Sequence, residues 1–332
     1  MWEIALKARG PKIGNLRRRI RVSQIELLAA LQQKRTLSEA AQKVNLSQPA
    51  ASRMLSELAR DLDIELFERI GRTLHPTEAG RALIRRAAEF IGELERTQSE
   101  LEAIDNGLVG TVTLGTGIGP SYTLVPKALT LLRKDGRAIS VTVHEGALEE
   151  LFQKLSERRI DLIVSRLNLG AFDRSVVCEE LYNPPLTVVC GPRHRLCRVR
   201  KLSWSMVLDE EWILSESGTP MRSGLEAIFQ REGRRPSRCL TESSSIPTNV
   251  ELLNQHQLLW VLSADISDYF ARLGLLRILD LPSISGPAPV TMAYLKERPP
   301  SAAILRLMDC LRTAGRNIVR SSLIPPRRWS TT

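Results

Sequence analysis

The chain has 332 residues, 43% hydrophobic and 25% charged, with a formal net charge of +10. That length supports two or three units with proper cores, and the composition is that of a globular protein. No run approaches the roughly 18 apolar residues of a membrane span. Met1-Trp2-Glu3 opens without the order of a secretory signal, so the expectation is a cytoplasmic protein with no membrane partner.

The basic charge is concentrated at the ends. Over residues 1–21, Lys7, Arg9, Lys12, Arg17, Arg18, Arg19 and Arg21 face a single acid, Glu3, and residues 1–19 read as a basic extension. Such charge can neutralise phosphates, with affinity that falls as salt rises. Beyond the extension, Leu37 to Val44 predicts a helix, Asn45-Leu46 a turn, and Ser47 an N-cap for a second helix with Pro49 in its first turn. Ala51, Met54, Leu55, Leu58 and Leu62 follow helical spacing and point inward. Ser47, Gln48, Pro49, Ser52, Arg53 and Ser56 are left for the outer face. Short polar groups and a guanidinium at a helix N-terminus suit base edges and phosphates in a major groove. The same stretch alone also describes an ordinary helical hairpin with a solvated face.

Ala40-Ala41, Leu46-Ser47-Gln48-Pro49-Ala50 with Ser52-Arg53, Leu66-Phe67-Glu68-Arg69 and Pro76-Thr77-Glu78-Ala79-Gly80 occur in one order and spacing. In these the chain resembles the LysR-type transcriptional regulators from about Ile20 to Gly315, most closely over the first sixty residues. The resemblance implies a winged helix-turn-helix over residues 20–77, all-α apart from its wing. A linker helix follows over residues 78–107, then a two-lobed α/β effector domain of the periplasmic-binding-protein kind over residues 108–315. The extension and the Val44-Asn45-Leu46 turn resemble the subgroup containing the galactose-binding-protein regulator. That points to genes for uptake or catabolism of a sugar or an aromatic or sugar acid.

A hairpin follows the second helix, with Phe67 as its core anchor, a turn at Gly71, and Arg69 and Arg72 beside the phosphate backbone. Thr77 then caps a long helix. Leu83, Ala87, Phe90, Leu94, Thr97, Leu101 and Ile104 recur every three or four residues, a seam too narrow for one helix to bury. Leu83, Ala87, Phe90, Leu94 and Leu101 are the expected dimerisation residues; packing on the chain's own C-terminal part is the alternative.

Strands at Thr111–Leu114, Ile139–Val143 and Ile160–Val164 alternate with helices at Tyr122–Arg133 and Leu148–Glu157, which predicts a parallel sheet. Further strands are expected at Leu186–Cys190, Trp212–Leu214, Arg238–Thr241, Leu258–Leu262 and Pro289–Leu295, with helices at Met221–Arg231, Thr248–Asn254 and Ser301–Thr313. By the resemblance, lobe one takes residues 108–165 and 267–315 and lobe two residues 169–264. The hinge crossings then fall near Ser165–Leu169 and Ala264–Tyr269, with Arg166 serving the hinge or an anion.

Gly115-Thr116-Gly117-Ile118-Gly119-Pro120-Ser121 is a Gly-rich turn into a helix, but Pro120 stands where a dinucleotide fingerprint needs its third glycine, so no cofactor is expected. The resemblance places Gly119, Pro120, Ser121 and Leu148 in an effector cleft. Many relatives have Ser or Thr where this chain has Gly119 and Leu148. Ser217 and Thr219, in a polar loop of the other lobe, complete the candidate set, with a plain turn as the alternative.

Five cysteines form no C-x-x-C, and the four histidines show no metal spacing. Some members of the family sense oxidants through a cysteine pair, and Cys190 with Cys197 can be read that way. Cys190, however, ends an apolar strand, which favours a buried structural thiol. Arg316, Arg320, Arg327 and Arg328 mark residues 316–332 as a basic, solvated tail.

The reading is an effector-responsive, sequence-specific DNA-binding regulator. Its partners are an inverted-repeat operator in double-stranded DNA, a small molecule, a homodimer or homotetramer, and RNA polymerase if it activates. A constitutive DNA-binding protein, or an α/β enzyme tethered to DNA, are the alternatives; no catalytic motif supports the enzyme.

Overall fold

The computed structural model describes residues 19–34, 36–70, 73–136, 138–167, 175–199, 201–217, 220–233, 241–282, 284–286, 288–297 and 299–322. These form two compact units. One runs to Asp105 and includes Gln153–Arg159; the other holds the remainder.

In the first unit, α1 (Val22–Gln33), α2 (Leu37–Lys43) and α3 (Gln48–Leu62) precede a hairpin, β1 (Phe67–Ile70) and β2 (Thr73–Pro76), and the long helix α4 (Glu78–Asp105). Thr36 accepts a hydrogen bond from Glu39 N at 3.2 Å to start α2. Asn45 sits at φ 58°, a left-handed turn that asparagine tolerates, and Ser47 caps α3 by accepting from Ala50 N at 3.4 Å. Ala40 and Ala41 are fully buried, as the close helix approach requires, among Leu27, Leu28, Ala51, Leu55 and Leu58. Leu66, rather than the half-buried Phe67, is the hairpin's deepest anchor.

Gly80 explains the end of the Pro76–Gly80 block. A Cβ there would lie 2.0 Å from the Leu66 carbonyl oxygen. Thr77 holds the junction, its N–H on Leu66 O at 3.0 Å and its hydroxyl on Glu65 O at 2.8 Å. It also caps α4 by accepting from Gly80 N at 3.1 Å. Along α4 the seam divides. Ala87 is buried in this unit's own core with Leu83 packed against it, so Ala87 offers no dimer surface. Phe90, Leu94, Leu101 and Ile104 stand 46%, 46%, 63% and 71% exposed.

The second unit has two sheets. Its first elements are β3 (Gly110–Thr116), α5 (Ile118–Tyr122), α6 (Leu124–Lys134), β4 (Ile139–Glu145), α7 (Leu148–Ser156), β5 (Leu162–Arg166) and β6 (Val176–Tyr182). Next come β7 (Leu186–Cys190), a 3-10 turn (Arg195–Arg198), α8 (Trp204–Val207), β8 (Glu211–Leu214), α9 (Pro220–Arg231), β9 (Thr241–Glu242), α10 (Ile246–Gln255) and β10 (Leu258–Ser263). The chain closes with α11 (Ala264–Arg272), β11 (Arg277–Ile278), β12 (Val290–Leu295) and α12 (Ala302–Ser322). The sheets are ordered β4-β3-β5-β12-β6 and β11-β7-β10-β8-β9. The first three strands of lobe one are parallel, as the alternating pattern predicts.

Three expectations need correction. The chain leaves lobe one after β6, at residues 183–185, because β6 pairs antiparallel with β12 in the lobe-one sheet. It returns only after Ile284, which still bridges Leu186 of β7, because β11 pairs with β7 and α11 packs on lobe two. The charged β6 (Val-Val-Cys-Glu-Glu-Leu-Tyr) and the two-residue β11 lack the apolar runs that reveal strands. Finally, residues 316–322 continue α12, with Ala314 and Ile318 buried one turn apart. Arg312 there forks onto Glu179 at 2.7 Å.

Candidate DNA interface and effector cleft

On α3, Ser47, Gln48, Pro49, Arg53 and Ser56 are exposed together and Ser52 is half-buried, on the side opposite Ala51, Leu55, Leu58 and Leu62. Ser56 donates to Ser52 O at 2.9 Å, so that hydroxyl is partly spent on its own helix. Gln48, Pro49 and Arg53 are engaged by no side chain among the described residues. They project an amide, an apolar ring and a guanidinium from the helix start. Arg19 is committed elsewhere: its Nη1 donates to Asp61 O at 2.7 Å, satisfying a carbonyl in the last turn of α3. Arg17, Arg18 and Arg72 lie outside the described residues, and of Arg69 only the backbone is described.

In the second unit, Gly119, Pro120 and Ser121 lie on α5, just past the C-terminal end of β3. Leu148 begins α7, past the end of β4. The parallel register Thr116↔Glu145 brings the two turns to one sheet edge, and Gly146 N donates to Thr116 O at 3.2 Å. Pro120 is buried, and Ser121 Oγ donates to Ile118 O at 2.7 Å. A Cβ on Gly119 would sit 3.7 Å from Ile266 Cδ1 of α11, so lobe two stands directly across from this turn. Ser217 follows β8, its hydroxyl on Glu242 Oε1 at 3.1 Å, and the same carboxylate takes Arg222 Nη1 at 3.2 Å. Thr219 lies outside the described residues. Gly119, Pro120, Ser121 and Leu148 thus share an edge of lobe one, and Ser217 lies in the loop that follows β8 of lobe two.

Arg166 serves the hinge, one of its two expected roles, and Asp265 with Tyr182 beside it were not announced by the sequence. Arg166 donates to Ala288 O at 2.7 Å and Pro184 O at 3.2 Å, tying both crossings through carbonyls rather than a carboxylate. Gly286 permits this, since a Cβ there would meet Pro184 O at 2.4 Å. Beside it the Asp265 carboxylate is buried at the start of α11. Tyr182 OH donates to it at 2.9 Å, Ser263 Oγ at 2.6 Å and Ile266 N at 3.1 Å. Burial first, and the Asp265 charge second, push the Tyr182 phenol far above its ordinary pKa, so it remains a donor. The signal available in sequence was one acid in Leu-Ser-Ala-Asp-Ile-Ser, directly after a wholly apolar strand.

Two family models match this chain. One, described as the LysR substrate binding domain, covers residues 105–316; the other, the bacterial regulatory helix-turn-helix protein of the lysR family, covers residues 22–81. The chain belongs to the LysR family. Its function is that of the family, DNA-binding transcriptional regulation. Among its curated relatives, the HTH-type transcriptional regulator GbpR of Azospirillum brasilense is 29% identical over 321 residues, 95% of this chain and 93% of that protein. The regulator GalR of Pseudomonas putida is 26% identical over 289 residues, 87% of this chain and 72% of its own length. Full-length CbnR in complex with its target DNA superposes with a TM-score of 0.60 at 17% identity, covering 89% of this chain and all of that one. Full-length OxyR from Pseudomonas aeruginosa gives 0.56 at 19%, covering 90% and 95%. At these identities the structural likeness is one of fold: a winged helix-turn-helix followed by a two-lobed α/β domain. No described helix is long and apolar enough to cross a membrane.

Proposed function

We propose that this LysR-family member is a cytoplasmic, nucleoid-bound, non-enzymatic regulator that binds an inverted-repeat operator as a homodimer or homotetramer. In this reading Gln48 and Arg53 read base edges, Pro49 touches a thymine methyl, and Ser47, Ser52, Ser56, Arg69 and Arg72 position the helix and wing. The observation that carries it is the α3 face, on which Gln48, Pro49 and Arg53 are exposed and the Gln48 and Arg53 side chains have no hydrogen-bond or ion-pair partner among the described residues. The seam Phe90, Leu94 and Leu101 supports a second chain, because so much apolar surface on one stripe calls for a partner helix. A small molecule entering between the lobes near Gly119, Ser121, Leu148, Ser217 and Thr219 would shift their closure through its different affinity for the two forms. A sugar or an aromatic or sugar acid is the proposed effector class, activation of its uptake or catabolic genes the outcome, and RNA polymerase the further partner.

One observation favours a second reading, a constitutive regulator: the hydroxyls of Ser121 and Ser217 are already bonded within the chain. Operator binding by Gln48→Ala and Arg53→Ala at fixed salt tests the DNA assignment. Each should lose about 1–3 kcal/mol on specific DNA and far less on random DNA. Unchanged operator affinity in both variants removes α3 as the reader.

A further inference from the structure

Gln153–Arg159 lies within the stretch matched by the LysR substrate binding domain, yet it packs in the first unit, with the helix-turn-helix and α4. The segment is the last turn of α7 and the three residues that follow. It closes as a left-handed cap: Arg158 N bonds Leu155 O at 3.0 Å, Arg159 N bonds Lys154 O at 2.9 Å, and Arg158 sits at φ 60°. Glycine is the usual residue at such a position, so the arginine is held there against its preference.

The long helix α4 is shaped to receive this segment. Gly92 stands in its interior, where glycine is the poorest residue after proline. A Cβ there would lie 1.9 Å from the Glu157 carbonyl oxygen, so only glycine lets the two backbones meet. Arg159 Nη2 donates to Glu95 Oε1 of α4 at 2.8 Å, and Arg158 Nη1 lies 3.8 Å from Glu93 Oε2. At the centre is the buried Glu157 carboxylate. Gln33 Nε2, at the C-terminal end of α1, donates to its Oε2 at 3.2 Å, and Gln153 Nε2 donates to its Oε1 at 2.8 Å. Arg159 Nε stands 3.6 Å from the same carboxylate. A buried charge depends on such partners. The bonds continue beyond Gln33: its Oε1 accepts from Lys43 Nζ, and Lys43 ends α2, two residues before the left-handed Asn45 that leads into α3.

From this arrangement we infer that Glu157 is a positioning residue for DNA binding. It fixes the end of α1 and, through Gln33 and Lys43, sets the turn from which α3 presents Gln48 and Arg53. The inference rests on α3 being the reader. Glu157 and Gln33 act without touching DNA. Base edges tolerate little misplacement of the side chains that read them, whereas long basic side chains still find phosphates. Loss of the relay should therefore lower affinity for the preferred sequence and largely spare affinity for any other.

Full-length Glu157→Ala, Gln33→Ala and the double variant test this. The probes are a duplex selected by the wild-type protein from a randomised pool and an unrelated duplex of equal length. Affinities are measured at one salt concentration, at a temperature where circular dichroism shows each protein folded. Each single variant should lower the ratio of the two affinities roughly tenfold, of the order that one hydrogen bond to a charged group can shift an equilibrium. The double variant should be no worse than either alone, because both break one connection. Glu157→Gln, which can still accept from Gln33, should recover most of the ratio. Gly92→Ala removes no polar group but drives the segment off α4, and it should repeat the loss. A role confined to stability would lower the melting temperatures and leave the ratio at its wild-type value. That result overturns the inference, as do losses that add in the double variant. Gln33 is half-buried, so its variant still decides the question if Glu157→Ala does not fold. Gln48→Ala and Arg53→Ala, run beside them, separate two failures. An intact ratio there as well removes α3 as the reader; a ratio lost there alone removes only the relay.

Discussion

Removing one oxygen at the hinge should weaken the second unit and spare the first. Tyr182 is 4% exposed and donates to the buried Asp265 carboxylate at 2.9 Å. In Tyr182→Phe the ring stays, so little packing is lost, and among the described residues Asp265 Oδ2 keeps only Thr123 Oγ1 at 3.5 Å. A hydrogen bond to a charged acceptor contributes about 1.5–3 kcal/mol, and a buried oxygen left unbonded costs its desolvation. For a domain of this size that is a fall of roughly 3–12 °C in Tm. Urea unfolding followed by tryptophan fluorescence reads the right unit, because Trp204, Trp212 and Trp260 are all buried in lobe two. The midpoint should fall with the slope unchanged. Operator affinity should hold, because the α1–α4 core is built from other residues. A stability change below about 0.5 kcal/mol, within the range of surface substitutions, would refute the account of Asp265 as a charge that depends on Tyr182.

Gly80→Ala sets a methyl 2.0 Å from the Leu66 carbonyl, so the first unit should lose several kcal/mol, of order the larger backbone and overpacking costs, and bind no DNA at 37 °C. Circular dichroism would show the loss; a native melt would show that the helix start can move. Deleting residues 1–19 should weaken binding to all sequences and flatten the salt dependence by about 0.9 for each phosphate no longer neutralised. Because Arg19 also holds Asp61 O, a modest stability loss should accompany it, and an Arg19→Ala control separates the two. Gly119→Trp should abolish the effector response while operator binding persists; a full response would place the effector elsewhere. The Arg312 fork holds the Glu179 carboxyl below its usual range. Its contribution is therefore complete above the unfolded value of about 4.3 and lost as pH falls through the lower folded value. Wild type and Arg312→Ala should converge in stability in acid, and a constant gap down to pH 2 would contradict the pairing.

The helix-turn-helix was legible because its determinants are local. A capping serine, an asparagine able to take a left-handed turn, and apolar residues at helical spacing specify α2 and α3 whatever surrounds them. The parallel β3, β4 and β5 were legible from the regular alternation of short strand-like runs with helical ones, although only β5 is an apolar run and the edge strand β4 is mostly exposed. Residues whose state depends on a distant partner were not. Ala87 and Leu94 share one periodic seam, yet only packing against α1 buries the first and leaves the second to solvent. The hinge was misplaced because β6 is charged and β11 is two residues long; each is a strand only through a neighbour supplied from elsewhere in the chain. Cys190 and Cys197 are seven residues apart in the chain, and their sulfurs meet because Gly191 folds it back beneath Leu253. Periodicity and caps are properties of a segment, whereas burial, sheet membership and the distance between two side chains are properties of the whole packed unit.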